Sequence, residues 1–266
     1  MIMIGIVGAL CPLGKRVAEE LQDLTPDYKV IWNVDDGYKC DNKQASQFRN
    51  VEDVLLYGLE PTLILDFGAS EGFLRRAMTY RKYNIPAIMQ GVISSDDIDF
   101  LNNFYKDEYS GKRAPLIIEP EFSTVKTHLV KNLLSQASYF LLDIKGIEIT
   151  IRHHSEVVDI TQPWYYWMKM IDDVLKDEVS QPAPEHVPVT LNDIFEEDMP
   201  QDEETLDIKL NLTDGNGTLE WKLACPLLDS RIDGVFLMLE WYLVERDNTF
   251  DLMVGNITFD ILPMLI

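Results

Sequence analysis

The sequence predicts an α/β chain in two parts: an N-terminal doubly wound parallel sheet, then an α+β domain with a mainly antiparallel sheet. Up to about residue 120, short apolar runs alternate with amphipathic stretches, the pattern of right-handed βαβ units. Beyond it the pattern changes to long helical stretches and a hairpin, so a second unit begins. At 266 residues the chain is long enough to give each unit its own core.

In the first part MIGIVGAL, YKVIWNVD, TLILDFG, PAIMQGV and APLIIEP read as buried strands: each is short, apolar and bounded by turn residues. Between them VAEELQDL, VEDVLLYGL, FLRRAMTYRKY and DIDFLNNFYKDEY carry helical spacing. Ser94 and Ser95, followed by Asp96 and Asp97, supply a cap and a negative first turn for the last of these.

In the second part FSTVKTHLVKNLLSQASYFLLD reads as a long helix, GIEITIRHH as a strand and WYYWMKMIDDVLK as another helix. TLDIKLNLTD and TLEWKLAC flank Asp214-Gly215-Asn216-Gly217, a strong hairpin signal. GVFLMLEWYLVE reads as a buried helix. The predicted domains are 1–122 and 123–234, with a C-terminal helix over about 235–266 packing back on the first.

Charge and cysteines narrow the functional classes. The formal net charge of −22 excludes non-specific nucleic-acid binding, which needs Lys and Arg to neutralise phosphates, and disfavours anionic membrane surfaces. Residues 172–207 hold thirteen Asp and Glu against the single Lys176, with Pro182, Pro184, Pro188 and Pro200. This stretch reads as a solvated, partly irregular excursion. No apolar run approaches ~18 residues, so no membrane span is expected. The N-terminus lacks a basic region and reads as strand rather than signal peptide. Cys11, Cys40 and Cys225 are odd in number and scattered, which points to a reducing cytoplasm with neither disulfides nor a metal site. His128 and His186 have no partners at metal-ligand spacing.

GIVGALCPLG follows a strand and opens a helix, the setting of a dinucleotide fingerprint and hence of a Rossmann-type domain. Gly8 and Gly14 hold the outer glycine places, Cys11 takes the middle one, and Pro12 and Leu13 lead into the helix. A Cβ and a sulfur at Cys11 are expected to push a pyrophosphate outward or rotate it. Asp35 and Asp36, after the second strand, stand where a carboxylate accepts hydrogen bonds from the adenine ribose, which favours NAD over NADP. The other reading of this loop is a scaffold kept for packing with the nucleotide lost.

GIVGALCPLGKRVAEEL, LILDFGASEG, IMQGVIS, IEPEFSTVK, IEITIRHH and the C-terminal TFDLMVGNITFDIL fall in the order and approximate spacing of dihydrodipicolinate reductase, and the chain resembles that family over essentially its whole length. The resemblance implies an NAD(P)H-dependent reductase of the lysine and diaminopimelate pathway type, acting on a cyclic dicarboxylate imine. It also implies a homo-oligomer, a tetramer built through the C-terminal sheet. Phe67 lies in the stretch that keeps the frame of the family's Asp-Phe-Thr-x-Pro-Glu motif. Gly91 keeps one glycine of the loop beside the nicotinamide, and Glu121 and Phe122 stand at the Asn-Phe-Ser element. His153 matches the family's proton donor, with His154 its neighbour.

The family's substrate-holding lysine corresponds to Val157, while Asp159 is kept. The small-residue turn that binds a carboxylate has become Ile160-Thr161-Gln162-Pro163-Trp164. A dicarboxylate needs positive charge or aligned N–H donors, because desolvating an unpaired anion costs several kcal/mol or more. Two alternatives follow. In the first the chain is an oxidoreductase with a changed small-molecule substrate, apolar or aromatic, in a pocket lined by Trp164, Tyr165, Tyr166 and Trp167, with Asp159, Thr161 and Gln162 also binding it. In the second it is a non-catalytic member that binds, regulates or assembles.

Overall fold

A computed structural model of the chain describes residues 1–24, 28–35, 46–48, 50–69, 71–91, 93–103, 114–119, 122–125, 127–128, 132, 144–153, 189–199, 203–212, 217–245 and 252–254. Asp36, Cys40, Glu121, His154, the segment 155–188 and the hairpin tip at 213–216 lie outside them. So do the expected helix at WYYWMKMIDDVLK and most of the expected helix after Phe122, of which residues 124–125, 127–128 and 132 are helical. Two compact units divide the chain: Met1–Phe122 with Gly234–Leu265, and Ser123–Asp233.

The first unit carries a seven-stranded sheet in the order β11-β6-β5-β4-β1-β2-β3. Its strands are β1 (Ile2–Val7), β2 (Tyr28–Val34), β3 (Ser46–Phe48), β4 (Leu63–Asp66), β5 (Ala87–Gln90), β6 (Leu116–Glu119) and β11 (Leu252–Val254). Every pairing is parallel. A parallel sheet is covered on both faces, which is why all four residues of β4 and of β6 are buried. The helices are α1 (Pro12–Leu24), α2 (Val51–Leu56), α3 (Phe73–Tyr83) and α4 (Ser95–Asn103). Chain order reverses between β1 and β4, the switch point at which such sheets open a crevice.

Local chemistry fixes these elements. Asn50 caps α2, its Oδ1 accepting from the Asp53 N–H at 2.8 Å. Ser94 caps α4 reciprocally: its Oγ accepts from the Asp97 N–H at 3.1 Å and donates to Asp97 Oδ2 at 2.7 Å. Helix α3 ends on Asn84 in the left-handed region, φ 52°. Trp32 is fully buried and lies over Gly5, where any Cβ would overlap its ring; its Nε1 donates to the Leu59 carbonyl at 3.0 Å. The β1–β2 register slips at that point, between Ile4 and Gly5.

The second unit carries β7 (Ile144–His153), β8 (Val189–Phe195), β9 (Glu203–Leu212) and β10 (Thr218–Pro226) in the order β10-β9-β7-β8. The pairs β7–β9 and β9–β10 are antiparallel, while β7–β8 is parallel. One face is apolar and buried, through Ile147, Ile149, Ile151, Leu206, Ile208 and Leu210. The other carries cross-strand pairs: Arg152 with Asp207 and Glu196, Lys209 with Glu220, and Asn211 with Glu148.

Within the acidic, partly irregular stretch lie β8 and the start of β9, whose alternate positions are free to carry charge. Two features correct the sequence expectation. The helix expected from GVFLMLEWYLVE begins earlier, as α5 (Leu227–Glu245). The C-terminal segment is not one helix to the end. Leu252–Val254 is a strand on β6, where a short apolar run closes an open parallel edge. At Gly234 a Cβ would overlap the Phe122 carbonyl, so only glycine lets α5 pass that backbone.

Candidate functional site

A cavity of about 350 Å³ opens at the C-terminal ends of β1, β2 and β4, walled by the loops β1–α1 and β4–α3 and by the start of α2. It lies at the topological switch point, where open α/β sheets bind ligands.

The β1–α1 loop is shaped by its outer glycines. Gly8 has φ +71°, and a Cβ there would run into the backbone of Phe67 and Gly68. Its N–H donates to the Val34 carbonyl at 2.9 Å, which ties the loop to β2. At Gly14 a Cβ would overlap the Gly8 carbonyl, so α1 lies directly against the turn. These are the turn and packing roles that a dinucleotide fingerprint requires of its first and third glycines.

Cys11 occupies the middle place in a definite way. Its Sγ folds over the end of α1 and accepts from the Gly14 N–H at 3.2 Å, with the Leu13 N–H also directed at it. Burial pushes this thiol above its ordinary range against those two N–H groups, so it is neutral at physiological pH. The sulfur therefore takes up N–H donors of the first helical turn, which elsewhere hold a pyrophosphate. Asp35 closes the loop from β2, its Oδ2 accepting from the Leu10 N–H at 3.0 Å.

The β4–α3 loop is fastened by charge. Asp66, at the end of β4, is fully buried. Its Oδ1 accepts from the Gly68 N–H at 2.8 Å; its Oδ2 accepts from Arg76 Nε at 2.8 Å and the Tyr80 hydroxyl at 2.7 Å. The same guanidinium donates to the carbonyls of Ala69 and Glu71 at 2.9 and 3.0 Å. Gly68 leaves room for it: a Cβ there would sit 2.9 Å from the guanidinium carbon. Burial first, and Asp66 second, push the Tyr80 hydroxyl well above its ordinary pKa, which keeps it a donor. At the rim Arg75 makes a two-point ion pair with Glu52 of α2: Nε to Oε1 at 3.2 Å and Nη2 to Oε2 at 2.7 Å.

Of the residues singled out from sequence, Gly8, Cys11, Asp35 and Phe67 line this cavity, and Gly14 shapes it from behind. Pro12, Leu13, Gly91 and Phe122 are not among its lining residues. Leu13 is buried in the core, and Phe122 is buried with its ring edge-on to Phe67 at 6.1 Å. Gly91 donates its N–H to the Glu119 carbonyl at 3.0 Å and packs on the Phe73 ring. His153 is the last residue of β7. Asp36, Glu121, His154, Asp159, Thr161, Gln162 and Trp164 lie outside the described residues.

Glu52, Arg75, Arg76, Thr79 and Tyr80 were not singled out. The available signal was the i, i+4 spacing of Arg76 and Tyr80 on α3, which turns both toward one strand end. Among the described residues no group of three or more His, Cys, Asp and Glu side chains is placed to hold a metal ion, and no helix is long and apolar enough to cross a membrane.

No protein-family model matches the sequence, and no curated protein matches it. Solved structures do share the fold. Dihydrodipicolinate reductase from Paenisporosarcina sp. TG-14, with dipicolinate bound, is similar at a TM-score of 0.67 and 14% identity, over 96% of this chain and 98% of that one. GenD2 from gentamicin A biosynthesis, in complex with NAD, gives 0.59 at 11% identity, over 99% and 92%. An oxidoreductase from Agrobacterium radiobacter, in complex with NAD+, L-tartaric acid and magnesium, gives 0.56 at 10% identity, over 98% and 94%. At these identities the likeness establishes the fold alone: a Rossmann-like parallel sheet with a second, mixed sheet.

Proposed function

We propose that the chain is an NAD(H)-dependent oxidoreductase acting on a small molecule, with the dinucleotide entering the cavity between the β1–α1 and β4–α3 loops. The observation that carries this is the pairing of Gly8 and Gly14 geometry with Asp35 on the wall of a switch-point cavity. The residues fit the group. Gly8 and Gly14 set the turn and the helix packing, the Leu13 and Gly14 N–H groups that now meet the Cys11 sulfur would hold a pyrophosphate in its place, and the Asp35 carboxylate on the cavity wall would accept from a ribose hydroxyl. A 2′-phosphate would meet that carboxylate as a like charge, so NAD is favoured over NADP.

A bound nicotinamide supplies hydride. The chain's contribution is to orient the dinucleotide and, by the resemblance noted above, to supply a proton from His153, with His154 beside it. The substrate is an imine or an activated alkene lacking the two carboxylates of the family's own substrate. Val157, Pro163 and Trp164 support this, since they offer neither a cation nor, at the proline, an N–H. Asp159, Thr161 and Gln162 would be its polar contacts. We further propose a cytoplasmic homo-oligomer through the second unit's sheet, in line with the odd number and scattered places of the cysteines and with the family resemblance.

One observation favours a second reading, a nucleotide-binding or assembly protein without catalysis: the Cys11 thiol already occupies N–H groups at the end of α1. Titration of NADH into the protein, followed by a screen of cyclic imines and enones against His153→Ala, separates the two. Micromolar binding with turnover lost in the variant supports the oxidoreductase. Binding with no turnover of any substrate supports the second reading, and no binding at millimolar NADH ends the first.

A further inference from the structure

Two arginines line the cavity, and both are held by carboxylates, but in different ways. Arg76 is only 15% exposed and is committed to Asp66 and to two carbonyls. Arg75 is 72% exposed and is held at the rim by Glu52. Glu52 is itself fixed: it stands in the first turn of α2, and Thr79 Oγ1 lies 3.3 Å from the same Oε1 that meets Arg75. Asp35 and Glu71 add two further carboxylates to the lining.

We propose that Glu52 is a specificity-determining residue, holding Arg75 away from the adenine ribose and making the cavity reject a dinucleotide that carries a 2′-phosphate. This deepens the dinucleotide reading above and rests on it. A phosphate monoester carries about −1.5 to −2 charges at neutral pH and binds a guanidinium through two parallel hydrogen bonds. The geometry that would bind it, a two-point guanidinium fork, is present in Arg75 but is filled by Glu52. Asp35 and Glu52 then present like charge to a phosphate, while ribose hydroxyls can donate to either. An exposed ion pair is weak because water screens it, so Arg75 changes partner readily once Glu52 is neutral.

The test compares NADH and NADPH affinities, measured by nicotinamide fluorescence, for the unaltered protein, Glu52→Gln, and Glu52→Gln with Arg75→Ala. The NADPH-to-NADH affinity ratio rises about tenfold or more in Glu52→Gln and falls back in the double variant, a change of about 1.4 kcal/mol. A ratio that Glu52→Gln leaves unchanged overturns the proposal. So does an equal rise with Arg75 removed, since repulsion alone would then be at work. If the unaltered protein binds neither nucleotide, the dinucleotide reading itself falls and takes this one with it. Binding of NADH with an unmoved ratio defeats the specificity proposal alone.

Discussion

The β1–α1 and β4–α3 loops face the same cavity, but the first is held by backbone contacts and a neutral thiol, the second by a buried ion pair. In the first, Gly8, Cys11 and Asp35 make only ordinary hydrogen bonds, most of them to backbone groups, and the shape comes from missing Cβ atoms. In the second, Asp66, Arg76 and Tyr80 give up hydration and are stable only as a complete set. The contrast separates two tasks within one cleft. The thiol-capped loop can exchange its N–H partners for a ligand, while the charged loop keeps the opposite wall in place.

The largest expected effect breaks the second loop. Arg76→Met leaves Asp66 buried without its cation and should cost about 3–5 kcal/mol, read from urea denaturation. A loss below about 1 kcal/mol would show that the pair does not hold that loop.

Next comes Tyr80→Phe, which removes one donor from the same carboxylate and should cost about 1.5–3 kcal/mol. The pH dependence gives its sign. Unfolded tyrosine releases its proton near 10.0, whereas folded Tyr80 keeps it to higher pH. Its contribution is therefore fully present below pH 10.0 and is lost as pH rises through the folded value. Cys11 acts in the same direction from its ordinary 9.0 upward. Denaturation curves from pH 8 to 11 should show a stability decline that is shallower in Tyr80→Phe; an unchanged slope would contradict the assignment.

A smaller effect, of opposite sign for binding, is expected in the first loop. Cys11→Gly restores the middle glycine and releases the helical N–H groups, so NADH should bind about tenfold more tightly, near 1.4 kcal/mol. Loss of the cap should cost only a few tenths of a kcal/mol, since glycine is tolerated there. Weaker binding in Cys11→Gly would mean that the sulfur helps rather than hinders. The smallest effect belongs to Arg75→Ala, adjacent in sequence to Arg76 but exposed at the rim. Its stability should change by less than about 1 kcal/mol, and a change as large as that of Arg76→Met would erase the distinction between the two.

The parallel sheet was legible because buried strands such as LILD and LIIE carry an unbroken apolar run of three residues before a carboxylate at the strand end. The hairpin β9–β10 was legible through its alternation and its glycine-rich tip. Three strands were not. β3 is only Ser-Gln-Phe, β8 lies in an acidic, proline-bearing stretch, and β11 is only Leu-Met-Val, too short to show a period. In the site, Gly8, Cys11, Gly14 and Asp35 could be found because they sit in a fingerprint whose spacing is set by one turn and one helix. Asp66–Arg76, Asp66–Tyr80 and Glu52–Arg75 are 10, 14 and 23 residues apart, and their pairing depends on the rotation of α3 and the path of the loop before it. Periodicity places such residues on a helix; only packing decides which partner they meet.

Amide hydrogen exchange with and without saturating NADH tests the central claim most directly, because it locates the ligand rather than only detecting it. The account predicts slowed exchange in residues 8–14 and 67–72, the two walls of the cavity, with the strand cores unchanged. Protection that spares both loops, or none at any concentration of NADH, would contradict it.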